Sequence, residues 1–152
     1  MRTLLFFFCL LCLFSCGNDS FYTKSYSFKN RTWDRNEKPS FIVEIEDTTQ
    51  LYDFIITLRT TSDFKYNNLW IFLNTIPPNG QLVREPYEIK TCHPNGSWIG
   101  KKTGNIVENT LIFKRKKVPI KGKYKFSLEQ ATTDELIDEV IDISLEIKKL
   151  KE

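Results

Sequence analysis

The chain has 152 residues, enough for one domain of ordinary size and too few for two comfortable ones. A balance of 41% hydrophobic and 27% charged residues excludes a disordered chain, and 14% aromatics with almost no Ala argue for strands over a helical bundle. A net charge of +3 is too mild to imply nucleic acid as a partner.

The N-terminus reads MRTLLFFFCLLCLFSC. Arg2 supplies a short positive region, and Leu4 to Phe14 form an apolar run of eleven residues. That run is too short to span a bilayer, which needs about 20 residues, and it fits the apolar core of an export signal. It closes on Leu13-Phe14-Ser15-Cys16, which resembles the lipobox of bacterial lipoproteins. The resemblance implies a signal peptide over 1–15 and a lipidated Cys16 at the head of a polar tether over 16–25, with the folded domain at 26–150. Cys9 and Cys12 would leave with the signal, so Cys92 is the one free thiol and no intramolecular disulfide is expected. Several acyl chains hold a protein at a membrane surface without spanning it.

Beyond the tether, short runs alternate apolar and polar residues, the period of half-buried strands. Phe41, Val43 and Ile45 share one face; Tyr52, Phe54, Ile56 and Leu58 follow after the turn at Asp47-Thr48-Thr49. Asn67 to Leu73 is apolar on both sides at its centre, which predicts a central strand or one covered on both faces. Pro77-Pro78-Asn79-Gly80 ends it, and Tyr87 to Cys92 is the next run. Leu111-Ile112-Phe113, then Tyr124, Phe126 and Leu128, then Ile141, Ile143, Leu145 and Ile147 complete the set. Thr132 and Glu135 have capping-box spacing, which predicts one short helix near 133–139. Seven to eight strands at this spacing predict an all-β, two-sheet antiparallel sandwich, jelly-roll or Ig-like.

The stretch NGSWIGKKTGN, residues 95–105, invites comparison with a phosphate-binding loop. That loop requires Gly where Asn95 stands and Ser or Thr where Lys102 stands, and it leads into a helix. Here the following residues, Ile106 to Phe113, are strand-like, so no nucleotide is expected. Asn95-Gly96 is a turn signal, Gly100 and Gly104 permit further bends, and Trp98 is an apolar anchor. We take Gly96, Trp98, Gly100 and Gly104 as a candidate partner-contact loop.

His93 is the single histidine and adjoins Cys92; neighbours in a strand point to opposite faces, so the two would not pair as base and nucleophile. No catalytic residue, metal site or cofactor is expected. The strongest charge feature is Lys114, Arg115, Lys116 and Lys117, followed by Lys121, Lys123 and Lys125. One reading is contact with anionic lipid headgroups or an acidic partner; the other is a solvated edge guarded by Lys against aggregation. Trp33, Trp70 and Trp98 read as core and loop anchors, against the alternative of a sugar platform in a lipid-anchored carbohydrate-binding module.

Several pieces in order resemble the GldH-type gliding-motility lipoproteins of the Bacteroidetes. Phe28 to Trp33 resembles an F-x-x-x-x-W entry, Tyr52 to Arg59 a Y-x-x-x-x-x-L-R strand, and Tyr66 to Phe72 a Y-x-N-L-W segment. Gly96-Ser97-Trp98-Ile99-Gly100 with Gly104 is similar to a G-x-W-x-G-x-G loop, and Pro119 to Gln130 to a P-x-x-G-x-Y-x-F-x-x-E-Q stretch. Asp142 to Ile147 resembles the closing strand. The chain departs at Ala131-Thr132-Thr133-Asp134, where the family tends to a Met-Arg pair, and at Glu139-Val140-Ile141, where it tends to Gly. The resemblance implies an outer-membrane lipoprotein with an accessory or assembly role in gliding and type IX secretion and no known catalysis; Asp19 alone is a thin signal for surface export, so the periplasmic face is taken as the default over the cell surface. Its partners would be other gliding and secretion lipoproteins of the envelope, and the membrane through the lipid anchor.

Overall fold

The structure is a computed structural model and describes residues 20–150. Eleven strands form there: β1 (Ser20–Ser27), β2 (Thr32–Asp34), β3 (Ser40–Ile45), β4 (Leu51–Thr61), β5 (Asn68–Ile76), β6 (Val83–Lys90), β7 (Lys101–Thr103), β8 (Ile106–Lys117), β9 (Gly122–Gln130), β10 (Leu136–Asp138) and β11 (Val140–Lys149). One sheet runs β1-β11-β4-β8-β7 and the other β3-β9-β5-β6; β10 and β2 make a separate two-stranded ribbon. All recorded pairings are antiparallel.

The pairing has a simple logic. Among the eight longer strands the first pairs with the last, β1 with β11; then β3 pairs with β9, β4 with β8, and β5 with β6. The chain behaves as one long hairpin, its tip between β5 and β6, rolled up until β11 meets β4 and β9 meets β5. That is a jelly roll. The all-β sandwich read from the alternation therefore holds, and the strand order selects the jelly roll over the Ig-like arrangement. Every strand finds its partners within residues 20–150, so the sandwich carries its own core.

The alternating faces meet inside. Phe41, Val43 and Ile45 of β3, Leu69 and Ile71 of β5, and Leu128 of β9 face Ile56 and Leu58 of β4 and Ile143, Leu145 and Ile147 of β11. Trp33 of β2 is fully buried, stacks on Phe28 at 4.8 Å, and donates its indole N–H to the Glu37 carbonyl at 2.9 Å. Pro86 sits in β6, an edge strand, where a missing N–H disturbs no second ladder.

Three expectations are corrected. The helix near 133–139 does not form; Leu136–Asp138 is β10, with Ile137 buried opposite Trp33 between exposed neighbours. One buried residue between two exposed ones is a strand's period and offers no helical apolar face. Residues 20–25, expected as tether, belong to β1, whose partly polar sequence suits an edge strand. The strand count is eleven because β2, β7 and β10, three residues each, are too short to show alternation. The run centred on Trp70 is a central strand as expected, β5 lying between β9 and β6, and Trp70 itself is 44% exposed on the outer face.

Candidate functional site

Cys16 lies outside the described residues. The strand that follows it in sequence fixes one end of the sandwich all the same. Ser20, the first residue of β1, pairs with Lys148; Lys148 pairs with Asp53; and the Asp53 Oδ1 accepts the Arg115 backbone N–H at 2.7 Å. One row across the sheet thus joins the start of β1, four residues after Cys16, to the Lys114–Lys117 run. We call this end the near pole.

Arg115 has φ 53, and the ladder between β4 and β8 shifts register between Tyr52 and Phe54. The resulting bulge breaks the strict alternation of β8, so the four cations do not divide evenly between two faces. Lys121 lies in the connection to β9, and Lys123 and Lys125 project from the outer face of β9, opposite buried Tyr124 and Phe126. All seven predicted cations are exposed, and among the described residues none joins an ion pair. The carboxylates in or next to the strands at this end, Glu44, Glu46, Asp47, Asp53 and Glu146, are fewer than these seven cations, to which Lys148 and Lys149 add.

The glycine loop stands at the opposite end. Thr61 of β4 pairs with Ile106 of β8, which pairs with Thr103 of β7; the β7–β8 hairpin therefore closes at the far pole. Gly104 supplies the positive φ (60°) at the first central position of its two-residue turn. Asn95 Oδ1 accepts from the backbone N–H of Ser97 at 3.0 Å, and the His93 N–H reaches the Ser97 carbonyl at 2.8 Å, which closes the Asn95-Gly96 turn. Cys92 and Trp98 form an isolated bridge, and the Ile99 N–H donates to the Thr91 carbonyl at 2.9 Å. Trp98 packs against the core as an anchor, whereas Ile99 is exposed. Gly100 lies so close to β8 that a Cβ there would overlap the Glu108 carbonyl and the Asn109 amide.

The structure separates the two predicted clusters by the length of the sandwich, and it does not gather the three tryptophans. Trp33 is fully buried, Trp98 half-buried at the far pole, and Trp70 alone lies open on the outer face of β5. Cys92 is half-buried while His93 is exposed. Two polar arrangements escaped the sequence reading. Asp142, 2% exposed, accepts from Arg59 Nε at 2.9 and 3.0 Å, and this hydrogen bond raises the guanidinium above its ordinary value against the opposing effect of burial. Asp142 pairs with Arg59 on the outer face, opposite inward Ile143 and Leu58, just after a register shift in the β11–β4 ladder, and no sequence pattern signals that it is buried there. Glu129 receives Lys38 at 3.0 Å, Arg84 at 3.3 Å and the Asn74 amide at 2.9 Å. Burial pushes the Glu129 carboxyl up, but these two cations outweigh it and hold it below the usual range.

Strand order and poles together define the class: a jelly-roll sandwich with a basic end beside its N-terminal strand and an ordered glycine-tryptophan hairpin at the other end. The family model described as GldH lipoprotein matches residues 20–147. The chain belongs to the GldH lipoprotein family. It is 30% identical over 128 residues to "Gliding motility lipoprotein GldH homolog" of Christiangramia forsetii, covering 84% of this chain and 78% of that protein. It is 25% identical over 144 residues to "Gliding motility lipoprotein GldH" of Flavobacterium johnsoniae, covering 90% and 89%. Among solved structures, the Aeromonas hydrophila periplasmic inhibitor of g-type lysozyme, PliG, aligns with a TM-score of 0.36 at 12% identity over 85% of this chain and 87% of that one. A likeness that loose carries no argument.

Proposed function

We propose that this lipoprotein is held in the outer membrane, facing the periplasm, as a non-catalytic structural or assembly component of gliding motility and the associated type IX secretion machinery. Family membership supports the gliding role. The observation that carries the reading is the division between poles. The basic residues share an end with the start of β1, so a lipid on Cys16 would bring them to the headgroups. The same geometry turns the glycine-tryptophan hairpin away from the membrane, where Ile99, Lys101 and Lys102 are exposed for other lipoproteins of the machinery.

The test is genetic and biochemical. Deleting the gene should abolish spreading and reduce type IX secretion, and Cys16→Ser should fail to take up labelled fatty acid and leave the membrane fraction. Full-length protein recovered from detergent-solubilised envelopes should bring gliding and secretion lipoproteins with it. Wild-type spreading and secretion in the deletion strain would refute the role.

A further inference from the structure

We infer that the sandwich contains a ligand site between its two sheets, suited to a single-chain amphiphile with an anionic head, the chemistry of a long-chain fatty acid. Over most of the interior the sheets interlock through aliphatic side chains. Between β4 and β8 on one side and β5, β6 and β9 on the other they do not close, and a cavity of about 310 Å³ remains. Aromatic pairs bridge the sheets there: Phe54 to Phe126 at 5.6 Å and Tyr87 to Phe113 at 4.8 Å. Leu73 and Ile56 add aliphatic wall, so the lining is mostly apolar. Such a volume falls at the lower end of ligand pockets, roughly 300–1,000 Å³. It accommodates one chain in place of the paired chains of a phospholipid.

The rim supplies the sign of the head. Lys116 and Lys117 both border the cavity, although neighbours in a regular strand diverge to opposite faces. The bulge at Arg115, pinned by Asp53, changes the phase of β8, so that Lys116, paired with buried Tyr52, shares the inner face with Phe113, while Lys117 borders the cavity as the last residue of the strand. Across the opening, Glu85 of β6 is the one carboxylate on the rim. Two ammonium groups against one carboxylate favour an anion, and the apolar walls favour a chain behind it. The site belongs to the near half of the sandwich, because Lys116 pairs with Tyr52 close to the row that starts at Ser20. This site stands or falls independently of the gliding role.

The experiment uses the sandwich, residues 20–152, whose strands all pair within it. It is titrated with a dansyl-labelled fatty acid below the micellar concentration. Saturable fluorescence enhancement is expected, displaced by palmitate and not by a cationic surfactant of equal chain length. Lys116→Gln with Lys117→Gln should weaken binding about tenfold, and Glu85→Gln should tighten it several-fold, because charges at the rim act with opposite sign. Leu73→Trp, checked for folding by circular dichroism, should block the chain. The lysine variants change exposed side chains only, so they keep the test decisive if the tryptophan variant misfolds. Absence of saturable binding, equal displacement by the cationic surfactant, or lysine and glutamate variants that leave affinity unchanged would overturn the inference.

Discussion

Gly100 keeps a φ outside the left-handed region, yet it is the far-pole glycine whose replacement should cost most. Its constraint is space: an added Cβ would overlap the Glu108 carbonyl, which is backbone and cannot swing away. Gly96 poses the opposite case, with φ 82 and open space around it. Gly96→Ala should cost about 1–2 kcal/mol through backbone strain alone. Gly100→Ala must move the loop or β8, and overpacking of this kind costs about 1–3 kcal/mol and lifts Trp98 from its seat. Thermal unfolding followed by circular dichroism should rank Gly100→Ala below Gly96→Ala, and the reverse order would show that the close approach to β8 is absent. Asp142 offers a second residue-level test. Removing its carboxylate leaves Arg59 beside a buried gap, but Arg59 is partly solvated, so Asp142→Ala should destabilise by about 1–3 kcal/mol in urea unfolding, short of a fully buried pair.

Strands that bury one face announced themselves in the sequence. Phe41-Val43-Ile45 and Ile143-Leu145-Ile147 alternate in the text and in the fold, because period two is the geometry of a pleated strand. β1 was hidden because Thr23, Lys24 and Ser25 make an edge strand read as a tether. β2 and β10 were hidden because three residues carry no period, and their meeting depends on Trp33 and Ile137 coming together from 104 positions apart. The lysine run and the glycine loop were legible as patches, but their opposite placement follows from register across four strands. The outer face of the second sheet shows the same limit. Glu129 on β9 draws together Asn74 on β5, Arg84 on β6 and Lys38 just before β3, while the Arg84 guanidinium lies 3.4 Å over the Phe72 ring. Because the folded-state carboxyl lies below its unfolded value, the stabilisation is present above the ordinary glutamate pKa of about 4.3 and is lost as pH falls through the folded value. Urea midpoints measured from neutral pH downward should fall on the acid side in the native protein, and Glu129→Gln should be less stable at neutral pH with a flatter acid limb. An acid limb of unchanged steepness would remove Glu129 from the account.

At the scale of the whole molecule the jelly roll has two different ends. Antiparallel wrapping places the start of β1, the β3–β4 connection and the β8–β9 connection at one end, and the hairpin of β7 and β8 at the other. A lipid anchor makes binding to any bilayer nearly permanent and so conceals what the basic end contributes. The sandwich without its anchor, residues 20–152, exposes that contribution. On vesicles containing phosphatidylglycerol each Lys or Arg at the surface contributes about 1 kcal/mol, screened over a Debye length of about 10 Å at 0.1 M salt. Changing Lys114, Arg115, Lys121 and Lys123 to Gln leaves the rim lysines of the inter-sheet cavity untouched. That variant should lose at least about tenfold in vesicle affinity at low salt. Its loss should shrink as salt rises, and neutral vesicles should bind neither protein. Lys101→Gln with Lys102→Gln removes two exposed cations from the far hairpin and lowers the net charge without touching the near pole. Sedimentation with vesicles should find that pair indistinguishable from the native sandwich. Equal losses per charge at the two ends would mean that the protein meets the surface in no fixed orientation, and the lipid anchor would then be all that orders it.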